Sequence, residues 1–249
     1  MALAHSPKLV TDKLMFGVDF GNPKSNSVDF VNNISYTSSN MDFELPTVSN
    51  IENNGGVSRG YVKNTSSGYV EFNSSKYSTY DMSNGFSAFI ILDIDGFSSL
   101  GNAVYKGILG TGNSYTDRLI NLWFYKASGS LHLHQSANPP ANNGYVGTLS
   151  NSFTAPSDGT IFMVGYSHNA TNSITYYLHG RPLSTHSVAA IRTTWPSRND
   201  LYVCGGSNTS AYYFTSGKVY KALVYNKELT ATEMLQNYNA VKGRFGLWV

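Results

Sequence analysis

The sequence is short of cysteine and of charge. One cysteine, Cys204, stands among 249 residues, which excludes an intramolecular disulfide framework and a multi-cysteine zinc site. Charged residues make up 13% of the chain, about half the usual ~25%, and the 17 basic and 15 acidic residues form no run of one sign. A nucleic-acid binder clusters lysine and arginine against the phosphates, so no nucleic-acid partner is predicted. Cys204 is expected to be a small buried hydrophobic residue.

Long hydrophobic runs are also lacking. No stretch approaches the about 18 consecutive apolar residues of a membrane-spanning helix, so no membrane insertion is predicted. The opening MALAHSPKLVTDKL lacks the apolar run of a secretory signal, and we expect synthesis in a cytosol. Aromatic residues, by contrast, reach 14%, with 18 tyrosines and 13 phenylalanines. These side chains supply the buried surface of a core, and we predict a single domain over residues 1–249.

Strand patterns recur between about residues 60 and 225. Short runs rich in Ile, Val, Phe and Tyr are bounded by Gly, Asn, Ser or Pro clusters, which is typical of strands separated by turns. These runs are GFSAFIILDID, TIFMVGYSH, SITYYLHG and GKVYKALVY. No helical periodicity separates them, so an all-β antiparallel sandwich or barrel is predicted instead of parallel βαβ units. The run AFIIL is too apolar to alternate and predicts a central strand buried on both faces or packed under long loops.

The two ends of the chain differ from this middle part. Residues 1–56 are polar with isolated hydrophobic residues, and we expect a lead and an irregular segment packed on the sandwich. Residues 230–243 predict one short C-terminal α-helix, because Thr230 and Glu233 are spaced as a capping box. Gly243 is predicted to end this helix in a left-handed conformation. The apolar stripe of the helix is predicted to consist of Met234, Leu235, Tyr238 and Val241.

Motifs for catalysis and metal binding are sparse. Sandwich-fold glycoside hydrolases use closely spaced carboxylates on one strand, and their E-x-D-x-x-E run is missing here. The nearest pair is Asp93 and Asp95 in LDIDG, which we interpret as a polar strand end, with calcium binding as the alternative. His132 and His134 share a strand face, as some metal ligands do, but no third ligand is near. We therefore predict a non-enzyme with no catalytic residue, no metal ligand and no cofactor.

Sugar binding is the chemistry that this composition favours. A carbohydrate site needs an exposed aromatic ring to stack on a pyranose, together with amides or hydroxyls for its hydroxyl groups. Trp123 and Tyr125 stand at i, i+2 on one strand face, where core packing is the alternative role. Trp195 lies in the loop-like stretch TTWPSRND. Trp123, Tyr125 and Trp195 are therefore the candidate residues for stacking on a glycan.

Both ends of the chain carry long distinctive strings. The first is PKLVTDKLMFGVDFGNPKS, and it resembles the start of a group of tailed-bacteriophage virion proteins, which open on a lead of the form P-K-I-V-T-D-G-L-V, followed by an Asp and a Gly-Asn-Pro turn. They end in a string like G-K-I-x-x-x-x-I-Y-N-R-x-L-T-x-x-E-I-x-x-N-Y-N-x-x-K-G-R-F-G, and this chain has GKVYKALVYNKELTATEMLQNYNAVKGRFG from Gly217 to Gly246. Lys13 replaces the usual glycine of the lead, and residues 26–56 match no pattern of the group. The matching positions of the lead are Pro7, Lys8, Val10, Thr11, Asp12, Leu14, Asp19, Gly21, Asn22 and Pro23.

The resemblance implies both a fold and a function. The fold is a concanavalin A-like (laminin G-like) lectin domain, an antiparallel two-sheet jelly-roll sandwich with one C-terminal helix. The function is that of a non-enzymatic structural protein of the tail, fibre, baseplate or capsid surface, assembled in the host cytoplasm and displayed on the virion. The implied partners are other virion proteins and further copies of this chain in a homo-oligomer.

Two alternative functions accompany this one. The first is a lectin module that binds a host-surface glycan during attachment, and the second is a glycoside hydrolase or lyase, for which the paired carboxylates are missing. The calcium-binding positions of some laminin G-like domains have no residue-by-residue match in this sequence, so a structural calcium ion is assigned to no residue.

Overall fold

A computed structural model gives the fold of this chain. The residues that it describes are 7–23, 26–44, 60–95, 104–111, 119–127, 130–135, 146–148, 157–169, 171, 173–187, 195, 200–205, 214 and 217–247. The backbone alone is described for residues 40, 42, 44, 65–67, 104, 105, 125–127, 130–135 and 146–148.

Within these residues the chain forms strands, one 3-10 turn (Tyr77–Thr79) and one α-helix. The strands are β1 (Leu14–Asp19), β2 (Val28–Asp29), β3 (Ile34–Ser35), β4 (Thr37–Glu44), β5 (Tyr61–Asn73), β6 (Phe86–Ile94), β7 (Val104–Gly110), β8 (Leu122–Ala127), β9 (Ser130–Gln135), β10 (Val146–Thr148), β11 (Ile161–His168), β12 (Ser173–Leu178), β13 (Arg181–Ser187), β14 (Asp200–Val203) and β15 (Gly217–Tyr225). The helix is α1 (Ala231–Phe245).

Every pairing between these strands is antiparallel. Thirteen of these strands form one continuous hydrogen-bonded sheet of the order β10-β9-β8-β7-β14-β5-β15-β6-β11-β12-β13, in which β1 also pairs with β15 and β4 with β5. We call its two halves the first sheet (β1, β15, β6, β11, β12 and β13) and the second sheet (β4, β5, β14, β7, β8, β9 and β10). The two sheets meet where Lys218 and Val219 of β15 pair with β5, and β2 and β3 form a separate small hairpin. The predicted all-β antiparallel sandwich is confirmed.

The core fills the space between the two sheets, and a second cluster lies beneath the helix. Strand β6 contributes to both, because Ala88, Ile90 and Leu92 belong to the cluster between the sheets. Phe89 and Ile91 belong to the cluster that includes residues of α1. Side chains alternate between the two faces of a strand, so this strand is buried on both sides and cannot show a polar face. The predicted two-sided burial of AFIIL is confirmed.

Helix α1 begins as predicted and ends later than predicted. Thr230 and Glu233 form the capping box. Gly243 lies inside the helix, and the left-handed C-terminal residue is Gly246, with φ 68°. The predicted end was wrong because the helix continues for one more apolar contact, which buries Phe245. Of the predicted stripe, Leu235 turns away from the sheet and is 39% exposed, whereas Met234, Tyr238 and Val241 are buried.

Part of the N-terminal segment is regular. We expected a lead and an irregular segment up to residue 56, but β1, β2, β3 and β4 all lie in this range. The edge strand β4 pairs with β5 along most of its length. An edge strand gains stability mainly from its backbone ladder, so a sequence such as TSSNMDFE can form one without a hydrophobic run. Residues 45–59 lie outside the described part of the chain.

The two ends of the chain pack on each other. The backbone N–H of Val10 donates to Asn237 Oδ1 (2.8 Å), and the Tyr225 hydroxyl donates to the Val10 carbonyl (3.0 Å). Arg244 of α1 forms a bidentate ion pair with Asp19 of β1, and both N–O distances are 2.7 Å. Lys221 of β15 contacts the same carboxylate at 2.9 Å. The lead, the last strand and the helix therefore form one unit.

The helix does not reach the length and apolarity of a membrane span. Among the described residues, no helix does.

Candidate functional site

The second sheet presents a face that points away from the core. In β5, Val70 and Phe72 belong to the core cluster, so by alternation Tyr69, Glu71 and Asn73 lie on the outer face. The only described helix packs on the first sheet and not on this face. We call this surface the tyrosine–carboxylate face. Its residues are Thr37, Ser39, Tyr69, Glu71, Asn73, Asp200 and Tyr202.

Strand register brings these residues together. In β14, Leu201 and Val203 face the core, which turns Asp200 and Tyr202 outward. The pairs across the β5–β14 ladder are Asp200 with Asn73 and Tyr202 with Glu71. On the other side of β5, Thr37 pairs with Glu71 and Ser39 pairs with Tyr69.

One buried hydroxyl group connects two carboxylates on this face. The Tyr202 hydroxyl donates to Asp200 Oδ2 at 2.9 Å and also lies 3.4 Å from Glu71 Oε1. Asp200 and Tyr202 are fully buried, whereas Glu71 is partly exposed. The buried pair therefore forms the floor of the face, and Glu71 is the carboxylate that solvent reaches.

An aromatic ring stands beside this carboxylate. Tyr69 contacts the Tyr202 ring edge to face, with a centroid distance of 5.4 Å and an interplanar angle of 86°. Such a contact fixes the orientation of a ring that is otherwise free to rotate. Tyr69 is partly exposed, and Asn73, Thr37 and Ser39 are exposed. The face thus combines an oriented, accessible ring with acceptor and donor groups, which is the chemistry that binds a sugar ring.

Trp123, by contrast, is covered. It lies on the outer face of β8, because its neighbours Leu122 and Phe124 belong to the core cluster. The side chain is only 3% exposed, and stacking on a sugar requires an open ring face. Its strand neighbour Tyr125 has no described side chain. The backbone register pairs Trp123 with His134 and Tyr125 with His132, and the side chains of both histidines also lie outside the described part.

Trp195 is an internal residue. It is 7% exposed and packs on the Tyr77 ring at a centroid distance of 5.5 Å. The Tyr77 hydroxyl donates to Asp29 Oδ2 at 3.1 Å, and burial together with this carboxylate raises the pKa of Tyr77. Trp195 belongs to the core cluster between the sheets. Neither indole offers a stacking surface in this structure.

The remaining residues singled out by sequence have structural partners. Asp93 is buried and accepts from the Lys218 backbone N–H (2.9 Å) and the Tyr220 hydroxyl (2.8 Å). Asp95 is exposed and pairs with Lys63 at 3.5 Å. Cys204 is fully buried, as predicted, and burial raises the pKa of its thiol. Among the described residues no group of three or more His, Cys, Asp or Glu side chains is placed to hold a metal ion.

No sequence motif pointed to the tyrosine–carboxylate face. Its available signal was the alternation Y-V-E-F-N in β5 and D-L-Y-V in β14, which predicts two half-buried strands but not their neighbours. Glu71 and Tyr202 are 131 residues apart, and no local pattern specifies that β5 and β14 pair.

Comparison with known proteins identifies the fold. No protein-family model matches the chain, and no curated protein matches it. The fold is similar to the receptor-binding domain of a botulinum neurotoxin C/D mosaic serotype, with a TM-score of 0.62 and 13% identity over 92% of this chain and 51% of that chain. It is similarly close to a botulinum neurotoxin type C structure, with a TM-score of 0.63 and 16% identity over 92% of this chain and 51% of that chain.

A sialidase is also similar. The Trypanosoma rangeli sialidase in complex with sialic acid has a TM-score of 0.62 and 15% identity over 95% of this chain and 34% of that chain. The chain thus spans about half the length of the neurotoxin chains and about a third of the sialidase chain. At these identities the likeness shows the β-sandwich fold alone.

Proposed function

We propose that this chain is a non-enzymatic, lectin-like module that binds a glycan on the tyrosine–carboxylate face. The observation that carries the proposal is the partly exposed Tyr69 ring, held edge-on by the buried Tyr202 and set beside the Glu71 carboxylate. A sugar stacks its apolar face on such a ring, while its hydroxyl groups donate to the carboxylate and exchange hydrogen bonds with Asn73, Thr37 and Ser39.

Two of the proteins of similar fold are described with sugar ligands. The botulinum neurotoxin type C structure is described as depending on two ganglioside molecules for its passage into cells, and the sialidase is described in complex with sialic acid. These ligands belong to those proteins. They support a sugar as the first ligand class to test on this sandwich.

Burial of Asp200 favours binding over hydrolysis. A glycosidase needs two carboxyl groups that both reach the scissile bond, one as acid and one as nucleophile or base. Asp200 is fully buried and already accepts a hydrogen bond from the Tyr202 hydroxyl, so Glu71 is the carboxylate of this face that a bound sugar meets. Release of reducing ends from a polysaccharide by the purified protein would overturn the non-enzymatic part of the proposal.

Substitution of Tyr69 tests glycan binding. Tyr69→Ala removes the stacking ring and should weaken binding to any glycan selected on an array by about tenfold or more, equivalent to about 1.4 kcal/mol. Tyr69→Phe keeps the ring and should retain most of the affinity. Tyr61→Ala is the matched control, because Tyr61 is a partly exposed tyrosine of the same strand that packs on Tyr220 instead. Equal affinity of Tyr69→Ala and wild type would contradict the site.

A structural role in a bacteriophage virion is the second proposed function. The two terminal strings that resemble the phage proteins fold into one unit, since Val10 contacts Asn237 and Asp19 contacts Arg244. This contact favours a resemblance of whole structures over a chance match of two short strings. We propose that the protein is synthesised in the host cytoplasm and located on the virion surface. Its partners would be other virion proteins and further copies of this chain, and glycan binding would serve host attachment.

Particle composition tests this second function. Mass spectrometry of purified virions should find the protein in a fixed copy number. That number should be a small multiple of the number of symmetry-related positions in one virion substructure. Its absence from purified particles would overturn the structural role, while glycan binding would stand or fall on the Tyr69 experiment.

A further inference from the structure

The charged side chains described on the tyrosine–carboxylate face are acidic. Its two described charged side chains, Glu71 and Asp200, are both carboxylates. Within the described part of the chain Glu71 forms no ion pair, and its one polar contact is the Tyr202 hydroxyl at 3.4 Å. That hydroxyl group has a single proton to donate, and it donates it in the shorter hydrogen bond, to Asp200 at 2.9 Å. The negative charge of Glu71 is therefore left for a ligand to meet.

Such a carboxylate selects among sugars by charge. A neutral sugar presents hydroxyl donors, and a charge-assisted hydrogen bond to an ionised acceptor is about twice as strong as a neutral one. A sialic acid, uronic acid or sulfated sugar brings its own anion to the same place. Like charges set against each other at an interface repel, and specificity is often built from such a repulsion.

We infer that the tyrosine–carboxylate face selects neutral glycans and rejects acidic ones, with Glu71 as the specificity-determining residue. The inference rests on the proposed glycan-binding function. Tyr202 is a positioning residue in it, because its ring orients Tyr69 and its hydroxyl lies between the two carboxylates. The selected ligand class differs from the sialic acid described with the similar sialidase.

Paired probes test the selection. Each pair joins a neutral oligosaccharide to its acidic counterpart: N-acetyllactosamine with α2,3-sialyl-N-acetyllactosamine, and galactotetraose with tetragalacturonic acid. Binding is measured by calorimetry or on an array at low and at high salt. The wild-type protein should bind at least one neutral probe about tenfold or more tightly than its acidic partner, and the ratio should shrink at high salt because screening weakens the repulsion.

Three variants locate the effect. Glu71→Gln keeps the shape and removes the charge, so the neutral-to-acidic ratio should fall to within about threefold. Asp95→Asn removes a carboxylate that is exposed elsewhere and should leave the ratio unchanged. Tyr202→Phe keeps the ring and removes the hydroxyl, so it should weaken neutral binding without reversing the preference. Thermal melting of each variant reports whether it is folded.

The outcomes separate the inference from the function on which it rests. Binding of acidic probes as tight as that of their neutral partners would overturn the inference and leave glycan binding intact. If the neutral-to-acidic binding ratio of Glu71→Gln equalled that of wild type, Glu71 would not be the specificity-determining residue. Failure of every probe to bind, together with a Tyr69→Ala array pattern equal to wild type, would overturn both.

Discussion

A single buried histidine makes the fold sensitive to acid. His168 ends β11, is fully buried and stacks on Phe86 with a centroid distance of 5.2 Å. Its Nδ1–H donates to the Asn169 carbonyl at 2.5 Å, and its Nε2 has no hydrogen-bond partner among the described residues. A proton on Nε2 would create a buried charge. Burial therefore lowers the pKa of His168 from 6.5 to about 4, although the Asn169 carbonyl opposes the shift.

Stability should fall as the pH drops from about 6.5 to about 4. The unfolded chain binds a proton at its histidine near pH 6.5, whereas the folded protein binds it only near pH 4, so acid favours the unfolded state. The loss should reach about 3 kcal/mol. Urea unfolding across this pH range measures it, and His168→Phe should remove this component of the pH slope while keeping a ring against Phe86.

The comparison of slopes isolates the histidine from other groups. Carboxylates also titrate toward pH 4, so wild type and His168→Phe are compared at each pH. Parallel curves for the two proteins would show that His168 does not cause the acid sensitivity.

At the scale of elements, helix α1 contains two glycines with opposite roles. Gly243 lies in the last turn with helical backbone, and an added Cβ would meet nothing within 4 Å. Gly246 follows the helix at φ 68°, where its N–H donates to the Lys242 carbonyl. A residue with a Cβ is strained at that φ, whereas a glycine inside a helix costs conformational entropy.

Alanine should therefore stabilise at one position and destabilise at the other. We expect Gly243→Ala to raise the free energy of unfolding by about 0.5–1 kcal/mol, and Gly246→Ala to lower it by about 1 kcal/mol. Urea unfolding of the two variants, each a single methyl group from wild type, measures both effects. If Gly246→Ala were instead more stable than wild type, the left-handed residue that ends the helix could not be Gly246.

The sequence predicted individual strands and the helix better than it predicted which strands pair with each other. Strong local patterns were sufficient for β6, β11, β12, β15 and the start of α1, because burial and capping leave a periodic trace in the residues themselves. The edge strand β4 was missed because its ladder with β5 supplies stability that TSSNMDFE does not encode locally. The candidate site was missed for a related reason, since Tyr69, Glu71 and Tyr202 meet only through strand register.

At the scale of the whole molecule, one carboxylate joins three distant parts of the chain. Asp19 of β1 contacts Lys221 of β15 and Arg244 of α1, and its side chain is 5% exposed. Burial alone would raise the pKa of Asp19, but the two cations outweigh it and lower the pKa. The carboxylate therefore stays ionised in the folded protein at neutral pH.

Removing this charge should be costly. Asp19→Asn leaves Lys221, which is 5% exposed, without its anion, and we expect a loss of about 3 kcal/mol in unfolding free energy. Asp12→Asn is the matched control, because Asp12 also pairs with a lysine, Lys227, but has a side chain that is 70% exposed. Exposed pairs contribute little, so the control should melt close to wild type. Equal melting temperatures of the two variants would contradict a stabilising role for the buried ion pair.

The pairing of β1 with β15 also bears on how the protein is made in a cell. Val10, which lies just before β1, contacts Tyr225 of β15 across 215 residues of sequence, and a ribosome needs roughly 10 to 40 s to synthesise that length at about 5–20 residues per second. Until β15 is made, β1 lacks its neighbour, and Met15, Phe16 and Val18, which are fully buried in the finished protein, are expected to be exposed hydrophobic surface on the growing chain.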